Sequence, residues 1–132
     1  MTSANERQVG GNHYSSTSGL QHWDLIELYG VGYLEGCATK YLQRWKLKNG
    51  VQDLEKAAHY IQKLMELHEQ GRVPRGNVPA DVLKRFCYED HELGVYERSA
   101  ITLLCTWSCA AHLEVALRDT LELLDLARAE KA

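Results

Sequence analysis

The segment TKYLQRWKLKNG, residues 39–50, carries four cationic side chains: Lys40, Arg44, Lys46 and Lys48. It contains no acidic residue, although the 132-residue chain has a formal net charge of −3. On a helix, residues 40, 44 and 48 form one ridge, on which neighbouring like charges are destabilising. Phosphate recognition supplies a reason for them, since arginine offers a planar bidentate fork and lysine a point charge. The alternative is a solvated face whose cations pair with Asp53 and Glu55.

The charge of the chain differs sharply between segments. Residues 36–64 have a net charge of +4, whereas residues 1–35 have −3 and residues 65–132 have −4. A protein that binds long nucleic acid usually has a basic surface over much of the domain. One local basic segment in an acidic protein favours a small anion as the partner instead.

Hydrophobic side chains recur at steps of three and four residues, which predicts an all-α fold. We expect a small domain of five or six helices, with helices at 22–30, 33–48, 51–71 and 81–88 and one or two more in 95–132. If the last segment forms two helices, the break lies near 106–108. A very short turn at Asn49 and Gly50 ends the second helix, so the helices on either side form an antiparallel hairpin on which the domain is built.

The expected organisation is a single domain with four regions. These are a flexible arm (1–19), a ligand-binding hairpin region (20–71), a linker with both prolines (72–80) and a C-terminal helical region (81–132). No apolar run reaches the length of about 20 residues that spans a bilayer, and the N-terminus lacks the apolar core of a signal peptide. We therefore expect a cytoplasmic protein without a membrane partner. The leucine-rich last helix by itself is equally compatible with self-association and with packing inside one chain, but the apolar C-terminal half as a whole leads us to expect a homo-oligomer.

Other sites of known chemistry are not indicated. The sequence has no P-loop pattern, and its four cysteines lack the paired spacing of a metal site. Four adjacent polar residues would point in different directions on a helix: Glu89, Asp90, His91 and Glu92. These residue patterns by themselves therefore predict no metal site.

The predicted hairpin brings two polar ridges together. The first ridge consists of Gly36, Lys40, Arg44 and Lys48, and the second of Asp53, Lys56 and Tyr60. The two ridges would border one groove, in which Gly36 leaves room for a ligand at the end far from the turn. Lys40 and Arg44 are expected to be exposed, and an exposed cation can be replaced with little effect on stability.

These residues resemble a small family of phage proteins over positions 10–67. The shared pattern is a His-Tyr pair, a Gln and an Asp around the start of the first helix, then K-Y-x-x-R, a basic turn, D-L-x-K-A and a Tyr. The matching positions are His13, Tyr14, Gln21, Asp24, Gly36, Lys40, Tyr41, Arg44, Lys48, Asp53, Leu54, Lys56, Ala57 and Tyr60. The family includes a nucleotide kinase that phosphorylates deoxynucleoside monophosphates and lacks a P-loop.

The resemblance implies a phage-type nucleotide-binding protein in the cytoplasm of an infected bacterium. It further implies kinase activity, with Mg²⁺ and a nucleoside triphosphate as the phosphate donor. Lys40 and Arg44 would hold phosphate oxygens, and Lys48 and Lys56 would add positive charge, since phosphoryl transfer depends mainly on positioning and charge neutralisation. Asp53 and Lys56 are the catalytic candidates, with Asp53 holding the metal or orienting the acceptor.

Further ligand contacts are expected from the arm and from aromatic side chains. His13 and Tyr14 would fold over the ligand, Gln21 would join the site, and Tyr60 or Trp45 would stack on the base. Two other functions fit the same residues. One is a protein that sequesters a nucleotide or cyclic nucleotide without chemistry, and the other is a helical interaction module.

Overall fold

Six α-helices are found in the computed structural model, which describes residues 4 and 19–131. They are α1 (His22–Leu28), α2 (Tyr33–Arg44), α3 (Val51–Glu69), α4 (Ala80–Lys84), α5 (Val95–Thr106) and α6 (Ala110–Lys131). A 3₁₀ turn, Trp45–Leu47, continues α2, and a π-helical segment, Arg85–Asp90, continues α4. No strand occurs in the described residues, so the all-α prediction is confirmed. Within the same range, no helix has the length and apolar character needed to cross a membrane.

The four longest helices surround the main core. Both α2 and α6 pack against α3 and against α5. Their facing sides carry fully buried side chains: Leu42, Leu54, Ile61, Leu64, Ile101, Leu104 and Leu113. Burial of each such side chain contributes about 1.5–3 kcal/mol. The hairpin is antiparallel as predicted, since Arg44 at the end of α2 pairs with Asp53 at the start of α3.

The second helix is shorter than its sequence pattern suggests. It was expected to reach residue 48, but α2 ends at Arg44 and a 3₁₀ turn follows. The backbone of Lys48 has φ −134° and ψ −95°, which is not helical. Gly50 then takes φ +57°, a conformation that favours glycine, and its N–H donates to the Trp45 carbonyl at 2.8 Å. This tight closure removes Lys48 from the ridge of Lys40 and Arg44.

The break predicted near residues 106–108 is confirmed. Helix α5 ends at Thr106 and α6 begins at Ala110. Between them Trp107 is only 3% exposed, and its indole N–H donates to Glu35 Oε2 at 2.9 Å. The break is therefore anchored to the beginning of α2.

Glu35 is the centre of a buried polar contact that sequence analysis missed. Its side chain is fully buried, and Arg72 donates to both carboxylate oxygens at 2.9 Å. With the indole of Trp107, this makes three hydrogen bonds to one carboxylate. The contact joins the start of α2, the segment after α3 and the break before α6. We name this cluster of Glu35, Arg72 and Trp107 the Glu35 node.

We expect the protein to self-associate through α6. Leu121 and Leu126 are 44% and 48% exposed on this helix, although Leu113 and Leu124 on the same helix are buried. Light scattering at micromolar concentration should give a multiple of the 15.0 kDa chain mass. Replacing both Leu121 and Leu126 by glutamate should then reduce the mass to that of one chain. A parent mass near 15 kDa would show that these leucines are merely exposed.

Candidate functional site

Three cations from two helices surround the ring of Tyr41. Lys40 Nζ lies 4.9 Å, Arg44 Cζ 4.8 Å and Lys56 Nζ 5.4 Å from the ring centroid. These distances are within the range of about 6 Å for cation–π attraction, which offsets part of the repulsion between the cations. Lys40 and Arg44 come from α2 and Lys56 from α3, as the predicted groove requires. We name Lys40, Arg44 and Lys56 the cation cluster.

Two members of the cation cluster, Lys40 and Lys56, carry charge that no acidic side chain among the described residues balances. Arg44 pairs with Asp53, but in residues 19–131 no carboxylate lies within 4.0 Å of the ammonium of Lys40 or Lys56. The two ammonium groups approach the same tyrosine ring. Their combined field at this point attracts an anion, and each ammonium has hydrogen-bond donors to offer it.

A cavity of about 450 Å³ opens beside the cation cluster. Its lining consists of Leu34, Tyr41, Lys56, His59, Tyr60 and Lys63. Tyr60 stacks on Tyr41 with ring centroids 5.9 Å apart, and Tyr33 meets Tyr60 edge-on at 6.3 Å. The volume is within the range of small-molecule sites, about 300–1,000 Å³. Among the described residues, the lining contains aromatic and cationic side chains and no carboxylate, which suits an anion that carries a ring.

Tyr60 contributes a neutral phenol to this cavity. A hydrogen bond with Tyr33, together with the neighbouring Cys37 thiol, raises the pKa of Tyr60 to about 12. The phenol therefore keeps its proton at neutral pH and adds no negative charge beside the lysines. It can donate or accept a hydrogen bond at the edge of the site.

Arg44 and Asp53 form a buried ion pair at the base of the hairpin. Arg44 Nε lies 3.4 Å from Asp53 Oδ2, and the two residues are 7% and 0% exposed. The expectation that Arg44 is exposed is therefore wrong. In the antiparallel hairpin, the end of α2 lies opposite the start of α3. A carboxylate at the start of a helix is also stabilised by the helix dipole.

The surroundings of Asp53 do not fit a magnesium ligand. Asn49 donates to this carboxylate twice, from its backbone N–H and from Nδ2, both at 3.4 Å. With Arg44 on the same side chain, the oxygens are enclosed and already engaged. Magnesium binds through only one or two carboxylates together with water and substrate phosphates, and it requires those oxygens to be accessible. The geometry supports a structural role for Asp53 at the start of α3.

The other predicted site residues lie apart from the cation cluster. Gln21 is 4% exposed and precedes α1, where its N–H donates to Asp24 Oδ2 at 3.3 Å. Lys48 is exposed beyond the end of α2, and Trp45 donates its indole N–H to Glu97 at 3.2 Å. The structure thus brings together Lys40, Arg44, Lys56 and Tyr60 and not these three. The two remaining candidates, His13 and Tyr14, lie outside the described residues.

Gly36 allows α1 to pack closely on α2. A Cβ atom at this position would lie 3.3 Å from Ile26 Cγ2, which is tighter than an ordinary contact. The ridge of α2 is therefore covered by α1 at this point. Part of the room expected there for a ligand is filled by Ile26.

A polar cluster behind α1 was not predicted. His91 Nε2 donates to the Leu20 carbonyl at 2.8 Å, and Asp90 Oδ2 accepts from the Leu20 N–H at 2.8 Å. His22 Nε2 lies 2.8 Å from Thr39 Oγ1, whose hydroxyl donates to the Glu35 carbonyl. The imidazole of His22 therefore donates to Thr39. These contacts fix the chain where it enters α1. In the sequence, the run of polar residues at 89–92 was the only indication of this cluster.

This polar cluster makes stability fall in mild acid. Burial, with the charges of Lys40, His91 and Arg44, lowers the pKa of His22 from 6.5 to about 3. Below pH 6.5 the unfolded chain binds a proton at His22 that the folded chain does not, so the free energy of unfolding decreases as pH falls. We expect this group to contribute a loss of about 1.6 kcal/mol between pH 6.5 and pH 5.

Urea unfolding at a series of pH values would measure this loss. His22→Gln keeps a side-chain N–H donor but cannot bind the proton. Its free energy of unfolding should therefore change less over the same pH interval. Parallel pH profiles for parent and variant would contradict the assignment to His22.

The part of the chain that contains the cation cluster matches the model of a known family. Residues 9–62 match a family described as a protein of unknown function, DUF3310. The matched region includes α1, α2 and most of α3, whereas α4, α5 and α6 lie beyond it. No curated protein and no solved structure is significantly similar to the chain.

Proposed function

We propose that the cation cluster binds the phosphate of a small nucleotide. The observation that carries this proposal is the approach of Lys40 and Lys56 to one ring, with no acidic partner for either among residues 19–131. Two ammonium groups that both lie within 5.4 Å of one ring centroid repel each other, and a phosphate bound by both would offset that repulsion. Arg44, on the same tyrosine ring, adds positive charge, although its ion pair with Asp53 offsets part of that charge.

The aromatic side chains favour a nucleotide over a bare inorganic anion. Tyr41 and Tyr60 form one wall of the cavity next to Lys56 and Lys63, and Tyr33 contacts Tyr60 edge-on. Aromatic surface is used in nucleotide recognition because every base has a face that can stack. The acidic remainder of the chain disfavours a long polyanion, which would meet repulsion outside the basic segment.

The geometry supports binding better than phosphoryl transfer. The carboxylate expected to take part in transfer, Asp53, is enclosed by Arg44 and Asn49. Phosphorylation of a deoxynucleoside monophosphate stays a prediction from the resemblance, and Mg²⁺ would then be carried by the nucleotide phosphates. Sequestration of a nucleotide requires only the cation cluster and the aromatic wall.

Calorimetric titration would test the proposal directly. The ligands are the deoxynucleoside 5′-monophosphates, nucleoside triphosphates with Mg²⁺, cyclic nucleotides and ribose 5-phosphate. We expect saturable binding of at least one nucleotide class at moderate salt. Absence of binding to every ligand would overturn the proposal.

Chromatography of the same mixtures separates binding from catalysis. Protein incubated with a monophosphate and a triphosphate should return both unchanged if its function is sequestration. Formation of a diphosphate would instead establish kinase activity. A variant lacking Lys56 serves as the control for contaminating kinases, because a contaminant would be unaffected by the substitution.

A further inference from the structure

A second, smaller cavity lies between α1 and α2. Its volume is about 250 Å³, and it is lined by His22, Trp23, Ile26, Glu27, Tyr33, Gly36, Cys37 and Lys40. Lys40 also belongs to the cation cluster, and Tyr33 contacts Tyr60 in the larger cavity. Lys40 does not line the larger cavity, but its Nζ lies 4.9 Å from the ring centroid of Tyr41, which does. The two cavities are therefore neighbours, linked by the contacts of Lys40 with Tyr41 and of Tyr33 with Tyr60. We name this one the α1–α2 cavity.

Two large aromatic side chains at the α1–α2 cavity are exposed. Trp23 is 52% exposed and Tyr33 is 71% exposed. Each leaves a large apolar surface in water, which is unfavourable by about 25 cal/mol per Å². Single exposed apolar residues are common, but two aromatic rings that line one concave site indicate a ligand with an aromatic or apolar face.

Resting on the proposed function, we propose that the α1–α2 cavity holds the base of the nucleotide whose phosphate is bound by the cation cluster. Lys40 lies at the junction, where the phosphate and the base would diverge. The volume is below the range for drug-sized ligands, about 300–1,000 Å³, and it suits one ring system better than a whole nucleotide. Trp23 and Tyr33 supply the surfaces on which a base can stack.

Charge distinguishes what each cavity can accept. Glu27 lines the α1–α2 cavity, and its carboxylate would repel a phosphate there. The larger cavity has Lys56 and Lys63 in its lining, and none of the described residues that line it is acidic. If the uncharged base lies in the α1–α2 cavity and the phosphate lies near the larger cavity, the phosphate is kept away from the Glu27 carboxylate.

In the larger cavity, the space between Tyr41 and Tyr60 is closed to a base. Tyr60 is already stacked on Tyr41 at 5.9 Å, with an angle of 21° between the rings. A base that stacked between them would have to separate the two rings and move Tyr60 from its hydrogen bond with Tyr33. Trp23 and Tyr33, by contrast, each have more than half of their surface exposed to solvent.

The test compares ligands with and without a base on variants of Trp23. Calorimetry would measure the four deoxynucleoside 5′-monophosphates and ribose 5-phosphate with the parent, Trp23→Ala and Trp23→Phe. For the monophosphates that bind the parent, we expect Trp23→Ala to weaken binding about tenfold and Trp23→Phe to restore most of it, because phenylalanine retains a stacking face. Binding of ribose 5-phosphate should be unchanged in both variants.

Leu28→Ala is the matched control. Leu28 lies on the same short helix, is 69% exposed, and does not line the α1–α2 cavity. This variant should bind nucleotides and ribose 5-phosphate as the parent does. If Trp23→Ala does not fold, the comparison of parent with Trp23→Phe still reports on the site through tryptophan fluorescence. Quenching of the parent by nucleotide should then be reduced in Trp23→Phe.

The outcomes separate this inference from the proposed function. If the parent binds neither nucleotide nor ribose 5-phosphate, both are wrong. If the parent binds nucleotide and Lys56→Ala weakens that binding, but Trp23→Ala has the affinity of the parent, only the base site is wrong. Equal weakening of nucleotide and ribose 5-phosphate by Trp23→Ala would also overturn the base site, since the residue would then support the phosphate site indirectly.

Discussion

Replacing Arg72 by alanine is expected to lower the free energy of unfolding by about 3–5 kcal/mol, because it leaves a buried carboxylate uncompensated. Glu35 is fully buried, and Arg72 donates two of the hydrogen bonds that its oxygens accept. After the substitution, the indole of Trp107 is the remaining side-chain partner of the Glu35 carboxylate among the described residues. Since small domains have a total stability of about 5–15 kcal/mol, the loss should be large in urea unfolding followed by circular dichroism.

Arg75→Ala is the matched control for the Glu35 node. Arg75 lies three residues further along the same segment and is exposed, so its loss should change stability by less than about 0.5 kcal/mol. The double variant Glu35→Gln and Arg72→Ala should be more stable than Arg72→Ala alone, because it removes the stranded charge. The role of the Glu35 node is disproved if Arg72→Ala unfolds at the same urea concentration as Arg75→Ala.

Replacing Lys56 by alanine is expected to weaken nucleotide binding about tenfold or more. A charge-assisted hydrogen bond contributes about 1.5–3 kcal/mol, and a tenfold change corresponds to about 1.4 kcal/mol. Stability should be nearly unaffected, since Lys56 is only partly buried and has no acidic partner within 4.0 Å in residues 19–131. Calorimetry measures the affinity, and raising the salt concentration should weaken the parent more than the variant.

The control for this prediction must change the charge equally and leave the site alone. Lys84→Ala removes one positive charge from α4, where the side chain is exposed and outside the cation cluster. Lys84→Ala should bind nucleotide with nearly parent affinity. Equal affinities of Lys56→Ala and Lys84→Ala would show that the cation cluster is only a solvated face. Arg44→Ala is unsuitable for this comparison, because loss of the buried pair with Asp53 should lower stability as well as affinity.

Local sequence pattern predicted the part of the site that depends on short distances along the chain. Apolar residues that recur at steps of three and four positions predicted α2 and α3. The short turn between these helices required them to form an antiparallel hairpin. From that, the approach of Lys40, Arg44 and Lys56 followed directly. Tyr41 is the common contact of all three, and its neighbour Tyr60 was also anticipated at the groove.

Burial and helix ends were harder to predict. Arg44 and Lys40 occupy equivalent positions of one sequence pattern, but Arg44 is 7% exposed because Asp53 faces it across the hairpin. Lys48 continues the same four-residue step but lies beyond a 3₁₀ turn that closes onto Gly50. Both outcomes depend on how the two helices are joined and packed, and residue spacing contains no information on either.

The sequence by itself therefore determined the helical class, the hairpin and the concentration of positive charge on it, because helix periodicity and charge spacing act over a few residues. Only the tertiary structure decided which charges are balanced. Glu35 pairs with a residue 37 positions away and with one 72 positions away, and all three belong to segments that meet only after the helices pack. The same packing enclosed Asp53 and left Lys40 and Lys56 without acidic partners in the described chain. Coulomb energy depends on distance and solvent access in space, which the order of residues does not specify.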